Sequence, residues 1–195
     1  MDILQDLERR GLIQQTTDED GFRTHLAENK IKLYCAFDPT ADSLHIGHLL
    51  PLTRLMRFQR AGHRPIALIG AGTGMIGDPS GRSTERSLNE MNVVHDYADS
   101  LRNQMANILQ ADQEDSGFVA RNNYDWLSKL NIIEFLRDVG KHFTVNYMLA
   151  KDSVASRIED GISFTEFSYM LLQSYDFMKL YEEENCTLQI GGSDQ

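Results

Sequence analysis

Four short apolar segments bounded by turn residues place the strongest constraint on what this chain can fold into. Residues 31–37, 65–69, 117–121 and 187–190 each have the length and composition of a buried strand. Helical patterns lie between them, at residues 47–61, 88–110, 131–139 and 163–182. Strands that alternate with helices pair in parallel and carry those helices on the sheet faces. The sequence therefore predicts an α/β fold built on a parallel sheet.

Size and charge narrow the class of protein further. The 195 residues, of which 41% are hydrophobic, suit one domain with a packed core. The net charge of −10 argues against a general nucleic-acid binder, which presents a basic face to phosphates. One local basic cluster stands out at Arg54, Arg57, Arg60, His63 and Arg64. It is either a solvated helix face with the loop that follows or a local basic patch for a ligand.

Cysteine usage and the first residues bear on the compartment. Cys35 and Cys186 form no CxxC spacing, so neither a zinc site nor a disulfide framework is indicated. No apolar stretch has the length of a membrane span, and residues 1–11 predict a short amphipathic helix rather than a signal peptide. We expect a cytoplasmic protein with no membrane partner and no protein-bound metal.

The last residues, Gly191-Gly192-Ser193-Asp194-Gln195, read as the start of a turn that leads from a strand into a helix. A parallel strand normally continues into a crossover helix, and no helical pattern follows here. The expectation is that the sequence is a fragment of a longer protein.

The segment from Asp38 to His48 has the composition of a phosphate-binding turn. A predicted strand runs into a loop, and His45 and His48 stand at the entrance of the helix that follows. Free N–H groups and the dipole at a helix start attract phosphate, and Gly47 lets a ring approach the backbone. Thr40 and the two imidazoles add donors for charge that develops on phosphate oxygens. The alternatives are a metal-binding histidine pair, for which the sequence offers no third ligand, and two solvated loop histidines.

Residues 163–182 have the clearest helical pattern in the sequence. Ser163 and Glu166 form an S-x-x-E capping box. Tyr169, Gln173 and Asp176 follow at offsets of four and three, so they project from one side of a largely apolar helix. These three polar side chains either line a site or form the solvent face.

A second glycine motif matches the dinucleotide-binding pattern without its structural context. Residues 72–77 fit G-x-G-x-x-G and follow a predicted strand. A dinucleotide-binding turn needs a helix to start within the motif, and Asp78-Pro79-Ser80-Gly81 is a turn sequence instead. We therefore do not expect NAD binding.

Several of these blocks together resemble the bacterial-type tyrosyl-tRNA synthetases. His45-Ile46-Gly47-His48 matches the HIGH signature of class I aminoacyl-tRNA synthetases. Residues 34–41, 77–81, 169–176 and 191–195 match blocks of the tyrosyl family in its order and spacing. The tryptophanyl family shares the fold and is the nearest relative that could be confused with it. The resemblance implies a Rossmann-like parallel sheet with helices on both faces, the nucleotide-binding fold of class I synthetases.

The resemblance also implies a role for each matching residue. Tyr34 and Asp176 would hydrogen-bond the phenolic hydroxyl of L-tyrosine. Asp78, Tyr169 and Gln173 would hold its α-ammonium group, with Thr73 and Asn123 lining the same pocket. Thr40, His45 and His48 would be catalytic, with Thr40 and His45 binding the γ-phosphate of ATP. The residues that would surround the ATP ribose, adenine and adenylate are Cys35, Asp38, Gly47, His48, Gly192, Asp194 and Gln195. Arg82 and Arg86 would contact pyrophosphate.

The implied reaction is ATP-dependent formation of tyrosyl-adenylate, followed in the full-length enzyme by transfer of tyrosine to tRNA-Tyr. ATP is a substrate, accompanied by Mg²⁺. The expected domain organisation is a catalytic domain over residues 1–195 that lacks the KMSKS region and the C-terminal anticodon-binding and S4-like domains. By the same resemblance, residues 121–165 correspond to a helical dimer-interface insertion, so a homodimer is expected. The alternative is that the aromatic residues of this segment belong to an ordinary core; they are Trp126, Phe135, Phe143, Tyr147 and Phe164.

Two other functions stay open at this point. A fragment without the KMSKS lysines would bind tyrosine or adenylate weakly and lack appreciable catalysis. A nucleotidylyltransferase of the same HIGH superfamily would act on another small acceptor, and the Tyr34–Asp176 pair argues against it because the pair suits a phenol.

Overall fold

The computed structural model describes residues 2–80, 89–110 and 116–192. In these ranges the chain forms a parallel sheet of four strands in the order β3-β2-β1-β4. The strands are β1 (Lys32–Phe37), β2 (Arg64–Ile69), β3 (Val119–Asn122) and β4 (Cys186–Gln189). Each lies within two residues of a predicted apolar segment, which confirms the predicted α/β class.

Two helices precede the first strand, and the others lie in the connections between the strands. They are α1 (Ile3–Arg9), α2 (Glu19–Glu28), α3 (Ile46–Arg60), α4 (Ala71–Gly74), α5 (Met91–Ala106), α6 (Tyr124–Leu127), α7 (Ile132–Asp138), α8 (Val145–Leu149), α9 (Asp152–Ala155), α10 (Phe164–Phe167) and α11 (Tyr169–Glu184). A 3₁₀-helix at Gly140–His142 follows α7. Within the described residues, no helix combines the length and apolar character that crossing a bilayer requires.

The two faces of the sheet pack against different helices. On one face Leu33, Cys35 and Phe37 of β1 join a core with apolar side chains of α1, α3 and α5. On the other face Tyr34 packs with Trp126 of α6 and Leu180 of α11. The alternation follows from the two-residue period of a strand, and burial of each large apolar side chain contributes about 2 kcal/mol. Helices α6 and α11 therefore lie on the face toward which Tyr34 points.

The order of the strands defines the place where a ligand fits. Strand β1 lies between β2 and β4. After β1 the chain adds β2 and β3 on one side of it, and then crosses back to place β4 on its other side. In open parallel sheets, ligands bind outside the carboxyl ends of the strands at such a switch in direction. Because β1 and β4 pair in parallel, the loop after β1 and the Gly191-Gly192 turn after β4 leave the sheet at this same edge.

The predicted helix at 163–182 is two helices. Helix α10 ends before Ser168, and α11 begins at Tyr169. The Ser163 hydroxyl accepts the Glu166 N–H at 3.2 Å, as the capping motif predicts. The Glu166 carboxylate pairs with the Arg157 guanidinium at 2.8 Å instead of reaching back to the cap. Because the Glu166 side chain is fully buried, its charge requires a buried partner.

The basic cluster of α3 serves contacts within the chain. Arg57 pairs with Asp6 of α1, and Arg64 donates to the Gly117 carbonyl at 3.1 Å. Arg54 donates from Nη1 to the Gly191 carbonyl at 2.9 Å. His63 is buried, so the cluster is not a continuous solvated basic face.

Candidate functional site

A carboxylate at the end of β1 joins two other elements. One Asp38 oxygen accepts the Thr73 hydroxyl of α4 at 2.7 Å, and the other accepts the Tyr169 hydroxyl of α11 at 2.9 Å. Gly70 leaves the space for this junction, since a Cβ there would lie 2.0 Å from Asp38 Oδ1. The family resemblance assigns Asp38 to the nucleotide and Tyr169 to the amino acid. In the structure these residues share one hydrogen bond.

Asn123 connects this junction to Asp176. Its Nδ2 donates to Thr73 Oγ1 at 3.0 Å and to Asp176 Oδ2 at 2.9 Å. Its Oδ1 accepts the Gly72 N–H at 2.8 Å. Both amide protons and the amide oxygen are thus engaged, which fixes the orientation of the side chain. Asn123 is fully buried, and it holds α4 at a set distance from α11.

Asp176 is a buried acid held by two neutral donors. Trp126 Nε1 donates to Oδ1 at 2.7 Å, while Asn123 donates to Oδ2. Burial raises the pKa of Asp176 to about 7, although the hydrogen bonds from Asn123 and Trp126 act to lower it and Asp38 adds to the rise. Each oxygen accepts one of these bonds and can accept another. The carboxyl therefore keeps capacity to accept further hydrogen bonds in a buried position.

The Tyr34 hydroxyl lies in the same buried region. Tyr34 has no exposed surface, and its hydroxyl has no hydrogen-bond partner among the described residues. Burial, followed by the charge of Asp176, raises the pKa of Tyr34 well above its ordinary value, so the hydroxyl stays protonated. A buried hydroxyl without a partner costs about 1–3 kcal/mol, which a polar ligand would relieve. This polar pair lies inside the core on the α11 face of the sheet.

The three residues assigned to an ammonium group share one pocket. Asp78, Tyr169 and Gln173 line a cavity of about 170 Å³ together with residues of α8, α9 and α10. Tyr169 and Asp176 are buried, which excludes the solvent-face interpretation of this side of α11. Nearby negative charge from Asp38 and Asp78, after burial itself, keeps the pKa of Tyr169 well above its ordinary value. The Asp78 carboxylate gives this cavity an acceptor for a cationic group, although its lining also includes Lys151.

The start of α3 is closed by its own two histidines. His45 Nδ1 accepts the Gly47 N–H at 3.1 Å, and His48 Nδ1 accepts the His45 N–H at 3.2 Å. The two rings stack with centroids 3.8 Å apart. A Cβ on Gly47 would lie 2.9 Å from His45 Cε1, so the glycine makes room for the capping ring.

These contacts set the tautomers of the two histidines. Because each Nδ1 accepts a hydrogen bond, the proton of each neutral ring lies on Nε2. Burial, followed by the neighbouring His45, lowers the pKa of His48 to about 4, so this ring is neutral at pH 7. Two Nε2–H donors at a helix start form a site for anionic oxygens rather than a metal pair. Among the described residues, no group of three or more His, Cys, Asp or Glu side chains could hold a metal ion.

Other predicted site residues differ in exposure. Thr40 is exposed in the loop before α3, and Gly192 is exposed after β4. Cys35 is only 4% exposed and lies in the core beneath α3, where burial raises the pKa of its thiol to about 12. Arg82, Arg86, Asp194 and Gln195 fall outside the described residues.

Three contributors to the site were not predicted as such. Trp126 was assigned to the interface region, yet it is buried and binds Asp176. Its signal was the chemistry of the side chain, because a buried indole N–H requires an acceptor. Gly70 and Arg54 carried no usable signal, since their roles arise from contacts with Asp38 and Gly191 that only the fold creates.

Comparison with known families agrees with this geometry. The family model described as tRNA synthetases class I (W and Y) matches residues 26–195. The chain belongs to this class I synthetase family. The match includes the helix start with His45 and His48, the buried network around Asp176 and the turn after β4.

Several curated relatives are similar over the whole chain. A tyrosine–tRNA ligase of Oceanobacillus iheyensis is 67% identical over 197 residues, which cover 100% of the chain and 46% of that relative. Tyrosine–tRNA ligase 1 of Bacillus subtilis is 61% identical over 193 residues, which cover 99% of the chain and 46% of that relative. The chain thus spans about half the length of the curated relatives it matches.

Solved structures confirm the fold. A C-terminally truncated mitochondrial tyrosyl-tRNA synthetase of Aspergillus nidulans matches with a TM-score of 0.91 at 33% identity, covering 100% of this chain and 57% of that one. A tyrosyl-tRNA synthetase of Archaeoglobus fulgidus complexed with L-tyrosine has a TM-score of 0.68 at 21% identity. That match covers 90% of this chain and 50% of the other, and it concerns the fold alone.

Proposed function

We propose that the chain is the catalytic core of a tyrosine–tRNA ligase. A carboxylate oxygen of L-tyrosine would attack the α-phosphorus of ATP, forming tyrosyl-adenylate as the bond to pyrophosphate breaks. The whole protein would then transfer tyrosine to tRNA-Tyr. The observation that carries the proposal is the buried Tyr34 hydroxyl, which has no hydrogen-bond partner within the described part of the chain and lies close to the buried acceptor Asp176. A phenol that enters this region finds a donor in one residue and an acceptor in the other.

The site would bind the amino-acid substrate at two of its polar groups. Tyr34 and Asp176 would bind the phenolic hydroxyl. Asp78, Tyr169 and Gln173 would surround the α-ammonium group in the cavity that they line. Thr73 and Asn123 would act through the others, because their hydrogen bonds hold Asp38 and Asp176 in place.

The nucleotide would bind at the carboxyl ends of β1 and β4. The Nε2–H groups of His45 and His48, with the Thr40 hydroxyl, would donate to phosphate oxygens as pyrophosphate leaves. Gly47 and Gly192 would let the nucleotide approach the backbone, while Cys35 and Asp38 would lie beneath it. Asp194, Gln195, Arg82 and Arg86 keep their predicted roles as proposals. Mg²⁺ would be bound chiefly by the ATP phosphates, as is usual for this ion.

The domain organisation, the compartment and the oligomeric state follow from the same proposal. Residues 1–195 would form one catalytic domain, and the KMSKS, anticodon-binding and S4-like parts would belong to the rest of the protein. The compartment would be the cytoplasm. A homodimer is supported by apolar side chains that remain exposed on α7, α8 and α10, where Ile132, Ile133, Val145 and Phe164 are each more than half exposed.

Calorimetry with L-tyrosine and L-phenylalanine tests the central assignment. Phenylalanine leaves the Tyr34 hydroxyl and the outer acceptor positions of Asp176 unpaired in a buried pocket. We expect its affinity to be about fivefold to 150-fold lower, from an unpaired-group cost of about 1–3 kcal/mol. The variant Glu183→Gln, at an exposed position near the end of α11 and away from this cavity, serves as the control and should retain the preference. Equal affinities for the two amino acids would remove the tyrosine assignment.

A further inference from the structure

The loop between β1 and α3 is held by side chains of α5. Gln104 Oε1 accepts the Leu44 N–H at 3.0 Å, and Gln104 Nε2 donates to the Asp42 carbonyl at 2.9 Å. One amide group therefore satisfies two backbone groups of the loop. Such a paired contact fixes both the distance and the orientation of the loop relative to α5.

Ser100, one turn earlier on α5, completes this clamp. Its hydroxyl donates to the same Asp42 carbonyl at 2.7 Å and accepts from Gln104 Nε2 at 3.1 Å. Both Nε2 protons of Gln104 are thus engaged, and the amide cannot flip without losing these bonds and the bond to Leu44.

The start of this loop is held by the contacts of Asp38, but between Thr40 and His45 the described residues offer little else to position it. Residues 40–43 and His45 are exposed, and Leu44 is the one residue between them that packs against the core. Burial contributes little to an exposed segment, so polar contacts decide where its backbone lies. The loop ends at His45, whose ring caps α3 and stacks on His48. A shift at Leu44 would therefore move the capping ring directly.

We propose that Gln104 is a positioning residue for the phosphate-binding loop. It touches neither substrate; it holds Thr40 and His45 at the spacing that the ATP phosphates require, with Ser100 as its support. This inference rests on the proposed function, because it assigns the ATP phosphates to Thr40 and His45. A misplacement of about 1 Å at a catalytic group is costly even when the cause lies in a distant contact.

If this clamp positions the loop, removal of the Gln104 amide should weaken the binding of ATP and leave the binding of tyrosine nearly unchanged. The tyrosine end of the site is held by a different network, in which Asp176 binds Asn123 and Trp126, and Asn123 binds Thr73. Removal of the Gln104 amide leaves these bonds in place. A residue with a merely structural role would weaken both halves of the site together.

The test compares Gln104→Ala with Asn103→Ala. Asn103 is the exposed neighbour on α5, so its substitution makes a similar change in the helix without touching the loop. Calorimetry would measure L-tyrosine and, separately, the Mg²⁺ complex of a non-hydrolysable ATP analogue. In Gln104→Ala we expect about tenfold weaker analogue binding, the equivalent of one or two lost hydrogen bonds, and tyrosine binding within about twofold. Amide hydrogen exchange should become faster at Leu44. Asn103→Ala should match the unmodified chain.

The outcomes separate this inference from the proposed function. If the unmodified chain binds both ligands and Gln104→Ala binds the analogue equally well, the positioning role is wrong. Equal losses for both ligands would assign Gln104 to general stability and overturn the inference too. An unmodified chain that binds tyrosine but not the analogue would overturn the assignment of phosphate to this loop, and the clamp with it. An unmodified chain that binds neither would refute the proposed function itself.

Discussion

At the scale of single residues, Asp176 links the stability of the chain to pH. Its pKa is raised to about 7 in the folded state because the carboxyl is buried, whereas an unfolded aspartate titrates near about 3.9. Between these values the folded chain keeps a proton that the unfolded chain has lost. The stabilisation from this group is therefore complete below about pH 4 and is lost as the pH rises to about 7.

The expected result is a pH profile that depends on Asp176. Unfolding by urea at several pH values between 4.5 and 7.5 should show a stability loss of up to about 1.4 kcal/mol per pH unit that Asp176→Asn lacks. Asp96→Asn, at an exposed position of α5, is the control and should follow the unmodified chain. Parallel profiles for all three proteins would contradict the raised pKa.

Sequence reasoning predicted part of this site and missed the rest for a physical reason. The spacing of Tyr169, Gln173 and Asp176 on one helix places them on one side, and that pattern is local. The donors of Asp176 come from Asn123 and Trp126, which lie about fifty residues away in the chain. No local pattern encodes that approach, because it depends on how α6 and α11 pack against the same face of the sheet.

At the scale of secondary-structure elements, the strands were predictable and the helix ends were less so. A buried parallel strand is a continuous apolar run, and each such run became a strand. The strand predicted from residue 117 begins at Val119 instead, where pairing with Ile66 starts. The break between α10 and α11 was missed because apolar spacing continues through Ser168, while the Arg157–Glu166 ion pair fixes α10 separately.

Gln59 of α3 holds the segment that connects α5 to β3 against the α3 helix. This buried side chain donates to the carbonyls of Gln110 and Ser116 and accepts the Gln110 N–H. Gln59→Leu keeps the approximate volume and removes all three hydrogen bonds, so we expect a loss of about 2–3 kcal/mol in the free energy of unfolding. Urea unfolding measures it. Gln5→Leu makes the same chemical change on the exposed side of α1 and should cost less than about 0.5 kcal/mol. Similar losses in both variants would show that Gln59 contributes nothing specific.

At the scale of the whole molecule, an apolar surface remains outside the core. The exposed fraction is 64% for Ile132, 69% for Ile133, 61% for Val145 and 76% for Phe164. Trp126 and Phe135, which belong to the same predicted interface region, are buried within the monomer and stabilise it instead. We propose that the exposed side chains on α7, α8 and α10 are what a second copy of the chain covers, in a symmetric contact that places the same patch on both partners.

A single charge in this surface should separate the two copies. In Ile133→Asp, association would bury two unpaired carboxylates, one from each subunit. Their desolvation costs several kcal/mol, and we expect this cost to exceed the free energy of association. Sedimentation velocity at tens of micromolar should give a dimer for the unmodified chain and a monomer for Ile133→Asp. Tyr181→Asp, a substitution at a 60% exposed position on the outer side of α11, is the matched control and should remain dimeric. An unmodified chain that sediments as a monomer, or two variants that dissociate alike, would place the contact elsewhere or remove it.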